Sequence, residues 1–497
     1  VSRSSWIKTY GGILAFSAVL LTIALLFPYP VRIVDALSAG QDPGFDIKIS
    51  AWRVIFEPFL GLLLFYLRAD QPLLEFTVLL IWIIFLLLIT PVLSILFRKS
   101  GERPGIMLSA FLKGLKRIPL VFSIWGGLLL LIIFSDLPSN TIVNHDENTI
   151  LVNTHCHSEY SHDGLISWRG LQKWHQRNQF DAFFITDHNH HAKTLEALRS
   201  QDRGNLPASP LILCGEEFSG SNHITLMGLT RNFRTRGLTD RQVIDSTHDD
   251  GGVAIVAHWF DGERKSIPWF LELKVDGFEI VNQAYGLQYD SRVFSKIAEA
   301  CSTNGLIMYG AADYHGYGSA CFVWNGFDIP GWHRMDLNGR RESLMYILRQ
   351  KDMSRIRVLL YQDRKVFDRN LVLLSPIYTP VSYFRTLNLL QVLSWITWLF
   401  LIQYTCKSQP WLKKLYPMNT GSGRFLGAVA GLSSLYMVVW GLILLSKAGN
   451  LAGYNEIYTG YGRIILGAGT GLLVYTVLLG WFEVRARKKL KHSTSTI

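Results

Sequence analysis

Outside one central block, this chain has almost no histidine: thirteen of its fourteen histidines fall between residues 145 and 333, leaving only His492. Charge is sparse too, at 18% of residues, against 49% apolar and a mean hydropathy of +0.20. Cysteine is rare. Five in 497 residues do not make a disulfide framework, and the four in the central block (Cys156, Cys214, Cys301, Cys321) read most simply as small buried residues. An extracytoplasmic setting would still permit pairing. No internal repeat and no low-complexity tract is present, and the length suits two or three domains.

The apolar residues are gathered into nearly uncharged runs at 11–27, 76–97, 120–134, 387–404, 425–446 and 464–482. Most approach the ~20 residues a helix needs to cross the hydrocarbon core, and the run at 120–134 does so only with its flanks. A seventh run, 54–67, starts with Arg53 and Glu57-Pro58, so it can span, lie at the interface or re-enter. The first run lacks a small-x-small cleavage pattern and is followed by Pro28-Tyr29-Pro30, which favours a retained anchor over a signal peptide.

A net charge of +11 invites a nucleic-acid partner, and its placement argues against one. Arg98, Lys99, Arg103, Lys113, Lys116 and Arg117 sit in one loop, Lys407, Lys413, Lys414 and Arg424 in another, and Arg485, Arg487, Lys488, Lys489 and Lys491 in the tail. Basic residues beside spans are retained on the cytoplasmic side. The expected architecture is therefore a multi-pass protein of the cell membrane with the lipid bilayer as partner. Residues 1–135 form an N-terminal transmembrane region, 136–386 an extracytoplasmic domain with its core at 150–325, and 387–497 a C-terminal transmembrane region with a basic cytoplasmic tail. With 54–67 not spanning, the N-terminus also lies inside; with it spanning, the N-terminus lies outside.

Within the domain, Ile150–Thr154, Ala182–Thr186, Leu211–Cys214, Ile224–Leu229, Val253–Ala257, Gly277–Val281 and Leu306–Ala311 read as buried strands. Helical patterns such as Trp168–Gln179 and Ser291–Ser302 lie between several of them. Alternation of this kind predicts an α/β fold with a mostly parallel sheet, and seven strands are enough to close a barrel. Beyond it, Glu342–Gln350 reads as a helix, and Arg357–Tyr361 and Leu371–Leu374 as strands.

Polar residues with metal-ligating chemistry sit at or just after the ends of those strands, where α/β barrels place their sites. They are His155, His157, Asp163, His188, Glu217, His223, His258, Asp313 and His315. Residues i and i+2 of an extended chain share a face, so His155 and His157 project together while Cys156 turns away. Asp313 and His315 repeat the pattern around Tyr314. Each piece has a plainer reading alone: Asp187 as a helix cap, Glu217 as a surface carboxylate, His258 as a core histidine. In this order, each at a strand end, they read jointly as a metal site. Imidazole mixed with carboxylate suits zinc, manganese or iron better than calcium or magnesium.

The motifs His155-Cys156-His157-Ser158, Ser161-His162-Asp163-Gly164, Thr186-Asp187-His188-Asn189, Gly215-Glu216-Glu217, Asp276–Asn282 and Asp313-Tyr314-His315 resemble the PHP (polymerase and histidinol phosphatase) superfamily over about residues 150–325. The resemblance implies a distorted (β/α)7 PHP-type barrel inserted between the two transmembrane regions, with two or three divalent metal ions and phosphoester hydrolysis. Carried over by position, one metal takes His155, His157, Glu217 and Asp313. Glu217 bridges to a second on His223 and His258, and a third takes Asp163, His188 and His315. The pattern departs at Trp259, where the family often has proline, and His190-His191 offer extra donors. Glu216 can in principle replace Glu217, which the family spacing favours.

Clustered divalent ions activate water and neutralise phosphoryl charge. A leaving alkoxide then needs a proton, for which Asp187, His190 and His162 are candidates, and Arg264 and Lys265 can hold phosphate oxygens. The expected substrate is a phosphate ester, lipid-linked or a soluble nucleotide. Competing readings are hydrolysis of a non-phosphate bond such as an amide, a metal-binding sensor or scaffold, and a transporter. No intramembrane ionisable cluster supports the last; Arg53 and Glu57 are the only nearby charges. The spacings Gly427/Gly431 and Gly467/Gly471 fit helix packing.

Overall fold

The computed structural model describes residues 3–68, 72–96, 111–112, 114–260, 265–284, 291–364, 369–408, 421–450 and 456–494. Its central block is one curled sheet of ten strands, β1 (Arg32–Asp35), β12 (Ile356–Gln362), β11 (Val323–Asp328), β4 (Thr149–Asn153), β5 (Ala182–Ile185), β6 (Leu211–Ser219), β7 (His223–Met227), β8 (Val253–Val256), β9 (Gly277–Asn282) and β10 (Ile307–Ala311), in that spatial order. A ribbon of β2 (Phe45–Lys48) and β3 (Thr141–Asn144) stands beside it. The seven runs expected as strands all form them. They are buried along nearly their whole length because helices cover the outer face.

The sheet is less parallel than expected. β4, β5 and β6 run parallel, as do β8, β9 and β10, but β7 is antiparallel to both its neighbours. The reason is local: β6 continues to Ser219 and β7 begins at His223, leaving too few residues for a crossover helix. The curled ends are stitched by side chains. Asn325 on β11 accepts the Gly310 N–H at 2.8 Å and donates to the carbonyls of Gly310 at 2.7 Å and Val152 at 3.1 Å.

Leu371–Leu374 is not a strand but part of a 3-10 turn, Arg369–Leu374. The edge of β12 is occupied by β1, contributed by residues 32–35.

Every run expected to span forms a helix: Arg3–Leu26, Pro72–Leu96, Ile118–Phe134, Leu389–Ser408, Gly421–Asn450 and Glu456–Thr494. Among the described residues three helical stretches are long and apolar enough to cross a membrane, Pro72–Thr90, Leu426–Asn450 and Glu456–Phe482. A fourth counts if Leu371–Arg385 and Leu389–Thr405, bent by 118°, are one span. The ambiguous run 54–67 is a broken helix, Ala51–Ile55 and Glu57–Leu67, whose eleven-residue second part reaches about 16 Å, roughly half a hydrocarbon core. Both its ends return to the β-structure, through β2 before it and the ion pair Arg68–Asp363 (2.9 Å) after it.

The last two helices pack as a hairpin at Gly431, one of the expected glycines, whose Cβ would meet Thr476 at 3.5 Å, and more closely at three others. A Cβ on Gly441 would meet Leu466 at 2.7 Å, one on Gly462 would meet Leu445 at 2.8 Å, and one on Gly469 would meet Met437 at 2.8 Å. Gly427, Gly467 and Gly471 face open space. Gly462 and Gly469 are two turns apart on one face, and Gly467 and Gly471 fall on another.

Candidate metal centre

The chain leaves β4 at Asn153 and runs extended through His155 and His157, while the matching stretch after β10 carries Asp313 and His315. A parallel bridge between Cys156 and Tyr314 sets the two side by side. The residues between the donors turn away as the period-2 pattern requires. The Cys156 S–H donates to the Phe184 carbonyl at 3.1 Å, and the Tyr314 ring stacks on Trp174 at 3.9 Å. Cys156, Cys214, Cys301 and Cys321 are all free and buried.

Glu217, near the end of β6, is the centre of the arrangement. Its Oε2 lies 3.0 Å from His155 Nε2, 3.1 Å from His157 Nε2 and 3.3 Å from His188 Nε2. Its Oε1 lies 2.6 Å from His223 Nδ1 and 3.0 Å from His258 Nε2. Asp313 Oδ1 stands 3.1 Å from His157 Nε2 and 3.4 Å from His155 Nε2, and Asp163 Oδ2 is 3.1 Å from both His188 Nε2 and His315 Nε2. All nine candidate ligands therefore converge. They contain three groups able to hold an ion: His155, His157, Glu217 and Asp313; His157, Asp163 and His188; and His188, Glu217 and His223.

These donors fit divalent cations. The Nε2 atoms of His155 and His157 point at each other across 3.1 Å, an arrangement two neutral imidazole lone pairs do not favour. Donors held tetrahedrally about 2.0–2.1 Å from a metal lie roughly 3.3 Å apart, close to the separations here. Burial is nearly complete at His155, His157 and Glu217. Burial opposes charging His157, yet Asp163, Asp313 and Glu217 push its pKa up to about 10. Burial likewise opposes ionising Glu217, and the imidazoles around it hold its carboxyl well below the usual range. Bound cations would take over the role of those protons.

The other ring nitrogen of four of the six imidazoles is held from outside. His155 Nδ1 is 2.7 Å from Glu279 Oε1, His157 Nδ1 is 3.3 Å from Ser161 Oγ, His188 Nδ1 is 3.2 Å from Ser219 Oγ, and His315 Nδ1 is 2.7 Å from the Asp313 carbonyl. Contacts of this kind fix the ring orientation and tautomer of a ligating histidine. His258 and Asp313 also sit at φ of +28° and +45°, backbone that non-glycine residues seldom adopt and that marks constrained sites.

The side chains considered for proton or phosphate chemistry separate. His162 lines the cavity over the cluster, its ring 4.5 Å from that of His188. Asp187 is not brought to the cluster: it accepts from the Ser158 N–H at 2.6 Å and the Ser158 hydroxyl at 2.7 Å. His190 Nε2 faces the Tyr160 carbonyl at 2.8 Å, and His191 pairs with Glu216, turning that carboxylate away from the donors. Lys265 is exposed, with its ammonium over the Trp269 ring, and Arg264 lies outside the described residues. Trp259 is buried, donates to the Lys265 carbonyl at 2.7 Å and is not among the described residues lining the cavity.

Sequence reasoning counted Glu279 and Asn282 within the Asp276–Asn282 motif but gave them no role. Glu279 is fully buried in β9, and besides His155 it accepts the His258 N–H at 2.9 Å and Asn282 Nδ2 at 3.1 Å; Asn282 Nδ2 also reaches Asp313 Oδ2 at 3.1 Å. A carboxylate inside an otherwise apolar strand was the available signal, because a buried charge needs partners.

No protein-family model and no curated protein matches this sequence. Among solved structures, a two-domain protein from Bacteroides vulgatus, described as containing a PHP-like metal-dependent phosphoesterase, aligns at 17% identity and TM-score 0.33. That alignment covers 43% of this chain and 65% of the other, just under two thirds of its length. A protein described as a metal-dependent phosphoesterase from Bifidobacterium adolescentis aligns at 16% identity and TM-score 0.28, over 34% of this chain and 88% of its own. An amidohydrolase from Chromobacterium violaceum aligns at 15% identity and TM-score 0.28, over 38% and 96%. At TM-scores of this size none of them carries weight for function, which rests on the donor cluster itself.

Proposed function

We propose that this protein is a membrane-anchored, metal-dependent phosphoesterase. The observation that carries the reading is the convergence of nine His, Asp and Glu donors on and around Glu217 at the mouth of the curled sheet. His155, His157, Glu217 and Asp313 would hold one divalent ion, Glu217 with His223 and His258 a second, and Asp163, His188 and His315 a third. Zinc, manganese or iron suits these ligands. When bound, such ions supply Lewis acidity toward phosphoryl oxygens and lower the pKa of water.

Hydrolysis joins the oxygen of water to phosphorus, breaks the ester P–O bond and leaves a proton for the departing alkoxide. We assign delivery of that proton to His162, a reading supported by its position in the cavity wall. The Glu279–His155 pair keeps a principal ligand oriented through the cycle.

Anchoring follows from the apolar helices, and sidedness from charge. Lys116 and Arg117 begin the helix Ile118–Phe134 at the end away from the cavity, and the Lys116 carbonyl accepts from Tyr475 at 2.6 Å, well along the last helix. With basic ends inside, residues 136–386 lie outside the cytoplasm and the C-terminus within it.

The test uses the full chain in nanodiscs. Metal content and hydrolysis of a panel of phosphomonoesters and phosphodiesters are measured for wild type and for His155→Ala/His157→Ala. Bound metal with hydrolysis, both lost in the double variant, is expected. A metal-loaded protein that cleaves no phosphoester would overturn the reading. A reporter fused after Ser382 and active only in the cytoplasm would overturn the sidedness.

A further inference from the structure

The cavity over the donor cluster encloses about 770 Å³, and not all of its wall belongs to the sheet domain. Leu67, Pro72, Ile132 and Ile133 come from the apolar helices. Among the described lining residues there is no lysine or arginine. A pocket of this size holds a drug-sized ligand, far more than a phosphate group.

The mouth is also fastened to helix ends. The Gly318 N–H, in the loop that follows Asp313 and His315, donates to the Ile133 carbonyl at 2.9 Å. Leu165, two residues past Asp163, is buried with Leu444, Ala448 and Tyr458 from the C-terminal helix hairpin. Glu159 shares a side-chain hydrogen bond with Tyr458, and Tyr317 shares one with Tyr461. The site therefore opens where the helices end. Beside Pro72, Leu73 and Leu74 are 72% and 40% exposed, extending apolar surface from the cavity rim.

We infer that the substrate is an amphiphile: a phosphate ester whose headgroup reaches the donor cluster while its hydrocarbon chain lies along Leu67, Pro72, Ile132 and Ile133. The inference rests on the phosphoesterase reading and adds the chemistry of the leaving group. Among the described lining residues a soluble nucleotide finds no cationic side chain for its remaining phosphates, and it gains nothing from an aliphatic wall.

The experiment uses the full chain in phosphatidylcholine nanodiscs with n-alkyl phosphates from ethyl to decyl, each below its micelle concentration. A decyl phosphate carrying a diazirine partway along its alkyl chain serves as photo-crosslinker. KM is expected to fall with chain length by up to about fourfold per methylene over the first carbons buried. Leu67→Asn with Ile133→Asn should flatten that slope, which partition into the bilayer alone would not do. Crosslinks should map to Leu67, Pro72, Ile132 or Ile133. Hydrolysis independent of chain length, with crosslinks elsewhere, overturns the amphiphile and leaves the phosphoesterase intact. Crosslinks at these residues without hydrolysis of any ester support the amphiphile site and overturn the phosphoesterase. Neither signal overturns both.

Discussion

Glu279 Oε1 lies 2.7 Å from His155 Nδ1, so a carboxylate buried in β9 sets the direction in which His155 presents Nε2. The same carboxylate caps the strained backbone of His258 through its N–H. Glu279→Gln keeps the shape and removes the charge. Partners of this kind are worth about 10–100-fold in metal affinity or activity. A loss in that range is expected in a competition titration with a chromogenic chelator, with secondary structure unchanged by circular dichroism. Wild-type affinity in the variant would show that the contact is only structural.

Adjacent glutamates in β6 should separate cleanly. Glu217 meets five imidazoles, whereas Glu216 pairs with His191, and its Oε1 is buried without a hydrogen-bond partner. Glu217→Gln is expected to lose at least one equivalent of metal by elemental analysis. Glu216→Gln is expected to keep its metal and lose stability of about 1–3 kcal/mol, the scale for disturbing a buried hydrogen-bonded group. Loss of metal from the second variant alone would move the bridging role to Glu216.

Much of this site was legible because strand periodicity is strict. Once a strand end was placed before His155 and another before Asp313, the facing of His157, Cys156, Tyr314 and His315 followed from alternation. What sequence did not carry was long-range choice. Nothing in Arg32–Asp35 announces that it will take the edge of β12, about 330 residues away, and nothing in Leu371–Leu374 announces a 3-10 turn in place of a strand. The hairpin of β6 and β7 was hidden because a buried antiparallel strand has the same apolar run as a parallel one. Asp187 misled for a related reason: its type suited proton transfer, but its partner, Ser158, is 29 residues away.

His248 and Asp276 form a separate pair far from the donors, at 2.8 Å, with Lys351 on the other carboxylate oxygen at 3.0 Å. The hydrogen bond to Asp276 raises the His248 pKa above its ordinary 6.5 despite partial burial. Burial works to raise the Asp276 pKa, but His248, the Ala254 N–H and Lys351 prevail and lower it below 3.8. The imidazole's contribution to stability is full below 6.5 and fades as pH rises through its raised value. The carboxylate's contribution is full above 3.8 and fades as pH falls through its lowered value. Both act together between these limits. His248→Gln should therefore lower the melting temperature most at about pH 5.5, and the deficit should shrink by about pH 9. A deficit that does not change with pH would remove the charged pair from the explanation.

Arg53 and Glu57 form an ion pair at 2.6 Å that is almost wholly buried where the broken helix meets the Ser375–Arg385 and Leu389–Ser408 helices. The Glu57 carboxylate also accepts from the Tyr383 hydroxyl at 2.6 Å and Gln391 Nε2 at 2.9 Å. Gly61 leaves the room for this network, since a Cβ there would collide with Tyr383 Oη and Glu57 Oε1. Removing one partner of a buried pair costs about 3–5 kcal/mol because the other charge is stranded, whereas removing both charges costs far less. Arg53→Met is therefore expected to be more destabilising than Arg53→Met/Glu57→Gln, which keeps acceptors for Tyr383 and Gln391. Gly61→Ala should resemble the single variant. Thermal melts of the three in nanodiscs provide the comparison. A double variant no more stable than Arg53→Met would mean that the network holds these helices by shape and hydrogen bonding, with charge pairing making no net contribution.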